Sequence, residues 1–385
     1  MPYDALLHAV RGLPAALDDL PALRSDEAAW PLLRRLLEAH APSGGANLPG
    51  AIGGVIGTLA GELGLGAGWI PELGTTGDAA LALGADGPAS VVVVAHMDRP
   101  SFRVRSPESG ELFPICANRF PQGEYRTGAK ALRFANGRLD AAARGAIVSR
   151  REGERDSLVF EATEGALAWQ DTVVMDVSPA LDAAGNVTGT GLDNALGVLA
   201  ALLAASALAR VEGALRERGE RLLIVFTDQE EGPPEAFFGH GAARLTHTLP
   251  PPRGVVVVDA HSADLPDGPR LGAGGSFGTA SSWGRGSIVP PNYHALALDL
   301  AAGVNRARPG TVQPNNGYLS RSDDLALARW AKIMALIGPP MLHAHTGHET
   351  ARLADVRAGA VWLAWFLAAA LALAPEMNAR YALGV

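Results

Sequence analysis

The chain has 385 residues, of which 48% are hydrophobic and 19% charged, a globular balance that excludes wholesale disorder. Asp and Glu number 40 against 32 Lys and Arg, a formal charge of −8. An acidic surface of this kind excludes general phosphate-backbone binding, and no nucleic-acid partner is expected. The single cysteine, Cys116, excludes an intrachain disulfide and any cysteine-rich zinc or iron–sulfur site. Metal chemistry would have to rest on His, Asp and Glu.

Residues 1–20 carry Asp4, Arg11, Asp18 and Asp19 without a continuous apolar stretch, and do not read as a signal peptide. A helical pattern covers residues 27–39. Residues 90–95, Ser-Val-Val-Val-Val-Ala, read as a strand buried on both faces. That strand delivers His96-Met97-Asp98. On extended chain His96 and Asp98 project to one face, so the imidazole can ligate a metal while the carboxylate orients its other ring nitrogen.

From residue 99 to 186 helical periodicity fades. Short strands are expected at residues 131–135, 146–150, 157–162 and 172–177, with turn signals such as Asn136-Gly137 between them. This stretch reads as a small β-rich module inserted into an α/β domain. Residues 192–209 form an Ala/Leu-rich helix, with Thr190 or Asp193 as candidate caps. Capping is the ordinary use of an aspartate placed like Asp193.

The strand expected at residues 222–226 leads to Glu230-Glu231. Two adjacent carboxylates after an apolar strand are costly unless solvated or neutralised by a cation. The strand at residues 254–258 runs into Asp259, at the edge where open α/β sheets place ligands. A solvated loop and a turn cap are the plain alternatives for these two positions. The glycine cluster at residues 272–278 lacks a P-loop lysine and reads as a mobile or tight loop. Helical patterns follow at residues 293–304, 324–333 and 350–373. His343, His345 and His348 fall within six residues. The first two share a face if extended and the last two if helical, so spacing alone leaves the choice open.

The apolar run at residues 358–374 is rich in alanine and carries Leu363, Leu367 and Leu371 in one stripe. It suits a core helix better than a bilayer anchor, and no membrane partner is expected. The expected fold class is α/β: a mostly parallel sheet sandwiched by helices, with a smaller inserted β-rich domain. A soluble, cytoplasmic protein is expected.

Taken together, His96, Asp193, Glu230, Glu231, Asp259 and the histidine cluster form a nitrogen and oxygen donor set suited to Zn²⁺, Co²⁺ or Mn²⁺. Two such ions sharing a carboxylate and a water would yield hydroxide at neutral pH, with a spare Glu as general base.

The same residues lie in motifs that resemble a known family. His40-Ala41-Pro42-Ser43-Gly44, Ala95-His96-Met97-Asp98, Leu192-Asp193-Asn194 and Gln229-Glu230-Glu231 appear in order. Asp259-Ala260-His261-Ser262-Ala263-Asp264-Leu265-Pro266, His345-Thr346, Glu349 and Leu353-Ala354-Asp355-Val356 follow. Across nearly the whole chain this resembles the tetrahedral, deblocking or glutamyl aminopeptidases, the co-catalytic di-metal peptidases of family M forty-two. The resemblance implies that His96 binds one metal with Asp98 in support and that Asp193 bridges two. It implies that Glu230 is the catalytic acid/base, that Glu231 and Asp259 are ligands, and that His345 binds the second metal. It thereby singles out His345 among the three histidines. It also implies a catalytic domain at residues 1–98 and 187–385, interrupted by a dimerisation or lid domain at residues 99–186. A homo-oligomer is implied, from a dimer up to a hollow dodecamer acting on short peptides.

The sequence departs from the family pattern in places. Ala195 stands where an Arg is usual, and residues 232–242 replace a shorter segment after the Glu pair. Leu342-His343 replaces a basic-aromatic pair. The substrate motif survives only as Ser322-Asp323, which makes Asp323 a substrate-binding candidate. None of these removes a ligand. A carboxypeptidase or N-acyl amino-acid deacylase is the alternative enzyme, disfavoured by the 97-residue gap between His96 and Asp193. An inactive relative serving as a binding scaffold is the non-enzymatic alternative.

Overall fold

The computed structural model describes residues 2–116, 119–152, 155–232, 239–281, 286–317, 321–372 and 375–383. Part of the longer segment at residues 232–242 therefore lies outside the described residues. The chain is α/β, with mixed sheets and helices packed against them.

An eight-stranded sheet forms the spine. Its four middle strands are Arg221–Thr227, Val91–His96, Gly254–Val258 and Ile333–Gly338, each parallel to the next. All but Arg221 of their residues are buried, as unbroken Val, Ile and Leu runs require when both faces are covered. The flanks are antiparallel: Ala79–Gly84 pairs with Arg221–Thr227, and Gly275–Gly278 with Ile333–Gly338. Trp69–Ile70 and Val312–Asn315 close the two edges. The sheet is thus mixed, with a parallel centre. Short apolar runs show where strands lie but carry no sign of their direction.

Register fixes the site. Thr227 lies opposite His96, and Val257 opposite Val94. His96, the segment after Thr227 and Asp259 therefore leave the sheet at one carboxyl edge, where this architecture places ligands.

Six strands close into a barrel in the order Ser101–Ser106, Glu111–Pro114, Arg155–Gly165, Arg138–Glu152, Gly123–Ala135 and Thr172–Met175. Phe102, Val104, Ile147, Leu158, Phe160 and Val173 belong to its separate core. Three of these strands include the residues expected to be extended and run well beyond them; the fourth, expected at residues 172–177, stops at Met175. The first two strands were not expected, because Arg103, Arg105 and Glu111 on their outer face hide a short apolar alternation. A five-stranded sheet, in the order Ala180–Leu181, Asn186–Gly189, Glu349–Arg352, Pro340–Leu342 and His261–Ser262, lies beside the carboxyl edge.

Helices Leu192–Ala209 and Leu353–Leu371 pack on each other and on the large sheet. Both are long and apolar enough to cross a membrane, but 89% and 83% of the qualifying stretches are buried inside the molecule. Apolar residues all round mark these as core helices. Helix Asp26–Glu38 opens with Ser25 Oγ accepting from the Ala28 amide and closes with the Arg99 guanidinium on the Leu36 and Leu37 carbonyls.

Three local expectations are corrected. The helical pattern at residues 324–333 holds only for Asp324–Leu327; Ile333 begins a central strand. Residues 350–352 are strand, and the last long helix starts at Leu353. Four of the seven residues of the glycine cluster, Gly275–Gly278, are strand rather than loop. There a Cβ on Gly275 would stand 2.4 Å from Gly359 Cα, so the missing side chain lets the long helix close on the strand.

Candidate metal centre

Three stretches converge at the carboxyl edge. The parallel strands carry His96, Glu230, Glu231 and Asp259. Helix Leu192–Ala209 brings Asp193 at its start. The loop between Pro340–Leu342 and Glu349–Arg352 brings His345.

Asp193 does not cap its helix. The cap position is Gly191, with φ 77°, and neither Thr190 nor Asp193 bonds the first-turn amides; Thr190 Oγ1 instead donates to the Met175 carbonyl. The Asp193–Asn194 peptide is cis. Asn194 Nδ2 donates to the Val258 carbonyl and Asn194 Oδ1 accepts from the Gly197 amide, which ties this turn to the strand ending at Asp259.

Asp193 stands between two histidines. Its Oδ1 lies 3.2 Å from His96 Nε2 and its Oδ2 3.5 Å from His345 Nε2. His96 Nε2 also faces Asp259 Oδ1 at 3.3 Å and Glu230 Oε2 at 3.9 Å. His345 Nε2 faces Glu231 Oε1 at 3.1 Å. The ligating atoms of His96, Asp193 and Asp259 lie within 4.8 Å of one another, as do those of His96, Glu230 and Glu231 and those of Cys116, Glu231 and His345.

Asp98 works differently from the expectation. His96 Nδ1 is 3.2 Å from the Asp98 main-chain oxygen and 3.7 Å from its carboxylate. The carboxylate accepts the Glu230 and Glu231 amides, each at 3.1 Å. One buried aspartate thus sets the histidine ring with its backbone and the Glu pair with its side chain.

The electrostatics are those of crowded buried carboxylates. Burial, reinforced by Glu231, Asp259 and Asp323, pushes Glu230 well above the usual carboxylate range despite His96. Burial and Asp193 raise Asp259. For Asp193 burial acts in the same sense, but hydrogen bonds from His345 and His96 outweigh it and hold the group low. Burial disfavours charged His96 and His345, yet the surrounding carboxylates raise both.

These residues fit divalent ions. The ion pairs of Asp193, Glu230, Glu231 and Asp259 are with these two histidines. Glu231 Oε1 is buried without a hydrogen bond among the described residues. A surplus of buried negative charge facing two imidazoles is a cation site by its chemistry.

Of the histidine cluster, only His345 reaches this centre. His343 is half exposed and faces Asp264, and its ring lies 5.0 Å from that of His348. Asp323 is buried, takes the Thr227 hydroxyl on one oxygen and has no hydrogen bond on the other among the described residues. Burial pushes it up to about 8.

Two residues were missed. Glu349 accepts the Leu192 amide at 2.7 Å and the His345 amide at 2.9 Å, so it joins the Asp193 turn to the His345 loop. Burial and the Asp193 charge push it up to about 8. It stands in one of the motifs that carry the resemblance, which was its only signal. Cys116 is buried, and its Sγ donates to Glu231 Oε2 at 2.9 Å. A single cysteine in a stretch that holds none of the expected ligands carried no signal.

No family model and no curated protein matches the chain. Solved structures do. A tetrahedral aminopeptidase from a marine-sediment Thaumarchaeota archaeon is 14% identical, with a TM-score of 0.68 over 92% of this chain and 99% of that one. The aminopeptidase APDkam598 of the archaeon Desulfurococcus kamchatkensis is 18% identical, with a TM-score of 0.66 over 90% and 95%. The TET1 peptidase of Pyrococcus horikoshii, described as assembling into a tetrahedron or a large octahedral shell, is 17% identical, with a TM-score of 0.66 over 87% and 98%. The chain has the fold of the tetrahedral aminopeptidases. At these identities the likeness speaks for the fold, and the chemistry must be argued from the residues.

Proposed function

We propose that the protein is a metal-dependent aminopeptidase that removes N-terminal residues from short peptides. The observation that carries this is Asp193 held between His96 and His345, with Asp259 on one side and Glu231 on the other. The fold shared with aminopeptidases supports the same reading.

In this reading His96, Asp193 and Asp259 hold one divalent ion, and Asp193, Glu231 and His345 hold a second; Zn²⁺, Co²⁺ and Mn²⁺ suit the donors. When bound, such a pair activates water at neutral pH and polarises the scissile carbonyl. Glu230, next to Glu231 and fixed through its amide by Asp98, accepts the proton of the attacking water at Oε2 and passes it to the leaving amine. Asp98 and Glu349 position and do not react. Asp323 is the candidate for substrate binding carried by its motif. Its burial and its bond to Thr227 fit a supporting role beneath the strand ends better than direct contact with a peptide.

Residues 1–98 and 187–385 would form the catalytic domain, with the parallel strands sandwiched by helices, and residues 99–186 an inserted domain built on the barrel. A soluble, cytoplasmic homo-oligomer fits the neighbours' assemblies and the burial of both long apolar helices.

The test is metal removal and return. Chelated protein should not cleave aminoacyl chromogenic substrates, and Zn²⁺, Co²⁺ or Mn²⁺ should restore cleavage. Asp193→Ala should lose both ions together, because one carboxylate serves both. A chelated protein of undiminished activity, or a full metal complement in Asp193→Ala, would overturn the assignment.

A further inference from the structure

Cys116 follows strand Glu111–Pro114 of the barrel, in the segment between His96 and Asp193. It is 5% exposed. Its Sγ lies 2.9 Å from Glu231 Oε2 and 3.9 Å from His345 Nδ1. The ligating atoms of Cys116, Glu231 and His345 form one group within 4.8 Å.

A second observation, independent of the thiol, points into the same group. Glu231 is 2% exposed, and its Oε1 is buried with no hydrogen bond among the described residues. That oxygen faces His345 Nε2 at 3.1 Å while Cys116 holds the other oxygen, so the carboxylate stands between an imidazole and a sulfur where a cation would satisfy it.

We propose that Cys116 is a sulfur ligand to the divalent ion held by Glu231 and His345. This rests on the di-metal reading above and goes beyond it, because it makes the two sites chemically unequal. His96, Asp193 and Asp259 offer only nitrogen and oxygen, whereas Cys116, Glu231 and His345 add a soft donor that favours Zn²⁺ over Mn²⁺. On binding, a metal–sulfur bond forms, the S–H bond breaks and the proton passes to solvent; no electrons are transferred. The barrel thereby contributes a ligand as well as a surface. The competing arrangement keeps Cys116 a thiol that only donates to Glu231.

X-ray absorption at the zinc edge separates the two. The zinc-loaded protein should show a sulfur scatterer at about 2.3 Å, lost in Cys116→Ser while nitrogen and oxygen scatterers remain. The cobalt-loaded protein should show thiolate-to-cobalt charge-transfer absorption, absent from the same variant. Metal bound with nitrogen and oxygen scatterers alone would overturn the sulfur ligand and leave the di-metal reading standing. A chain that takes up no divalent ion would overturn both. Should Cys116→Ser fail to fold, the spectrum of the unmodified zinc protein decides by itself.

Discussion

Glu230 and Glu231 are neighbours in sequence but differ in surroundings. Glu231 faces His345 and Cys116, while Glu230 faces His96 at the longer distance of 3.9 Å. In the di-metal reading proposed above, Glu230 would stand close to both ions without completing either ligand set, which would leave it free to move a proton. Glu230→Gln keeps size and the Asp98 bond to the amide. It should retain both ions and lose about 10²–10⁴-fold in turnover. Metal content and steady-state rates of the variant check this, and near-normal turnover would remove Glu230 from the role.

At the scale of elements, three of the four central strands were legible because Val91–His96, Arg221–Thr227 and Gly254–Val258 are short apolar runs that lead to His96, Thr227 and Asp259. The flanks were not. Ala79–Gly84 is Ala-rich, and Gly275–Gly278 reads as a loop because glycine usually breaks strands. Ile333–Gly338 was absorbed into a helix, since a six-residue apolar run has no period of its own. In the site, His96, Glu231 and Asp259 followed from strand ends. His345 needed the resemblance, because only the fold decides which of three close histidines faces Asp193.

Two of the resembling motifs that carry no proposed ligand form joints. Gly44 and Ala46 amides bond the Asp228 carboxylate, just before the Glu pair. Asp355, at the start of the last long helix, accepts the Gly272 and Gly274 amides. That joint delivers Gly275 against Gly359, and it can be tested. Gly275→Ala should cost about 1–3 kcal/mol by overpacking, whereas Gly54→Ala, where an added Cβ meets nothing within 4 Å, should be neutral or slightly stabilising. Urea denaturation of both variants compares them, and equal midpoints would contradict the close packing.

Across the whole molecule the barrel and the carboxyl edge of the large sheet are joined at the His345 loop. The Gly347 amide donates to Tyr125 Oη at 2.9 Å, and a Cβ at Gly347 would meet Thr127 Oγ1 at 2.1 Å. The barrel segment also carries a different feature. Phe113, Phe134 and Trp169 are 57%, 52% and 65% exposed. Large apolar side chains left in water on one small module suit a contact between subunits. The chain should therefore sediment as a dimer or larger, and replacing Phe134 and Trp169 by Ser should shift it toward monomer without loss of bound metal. A unmodified chain that is monomeric at micromolar concentration would contradict this.

The central claim is removal of residues from the free N-terminus of a peptide. The most direct measurement is mass spectrometry of a short peptide incubated with metal-loaded protein, in unblocked and N-acetylated forms. Stepwise loss of residues from the amino end of the unblocked peptide, with the acetylated peptide intact, is the predicted result. Loss from the carboxyl end, or removal of the acetyl group with the peptide otherwise untouched, would contradict it.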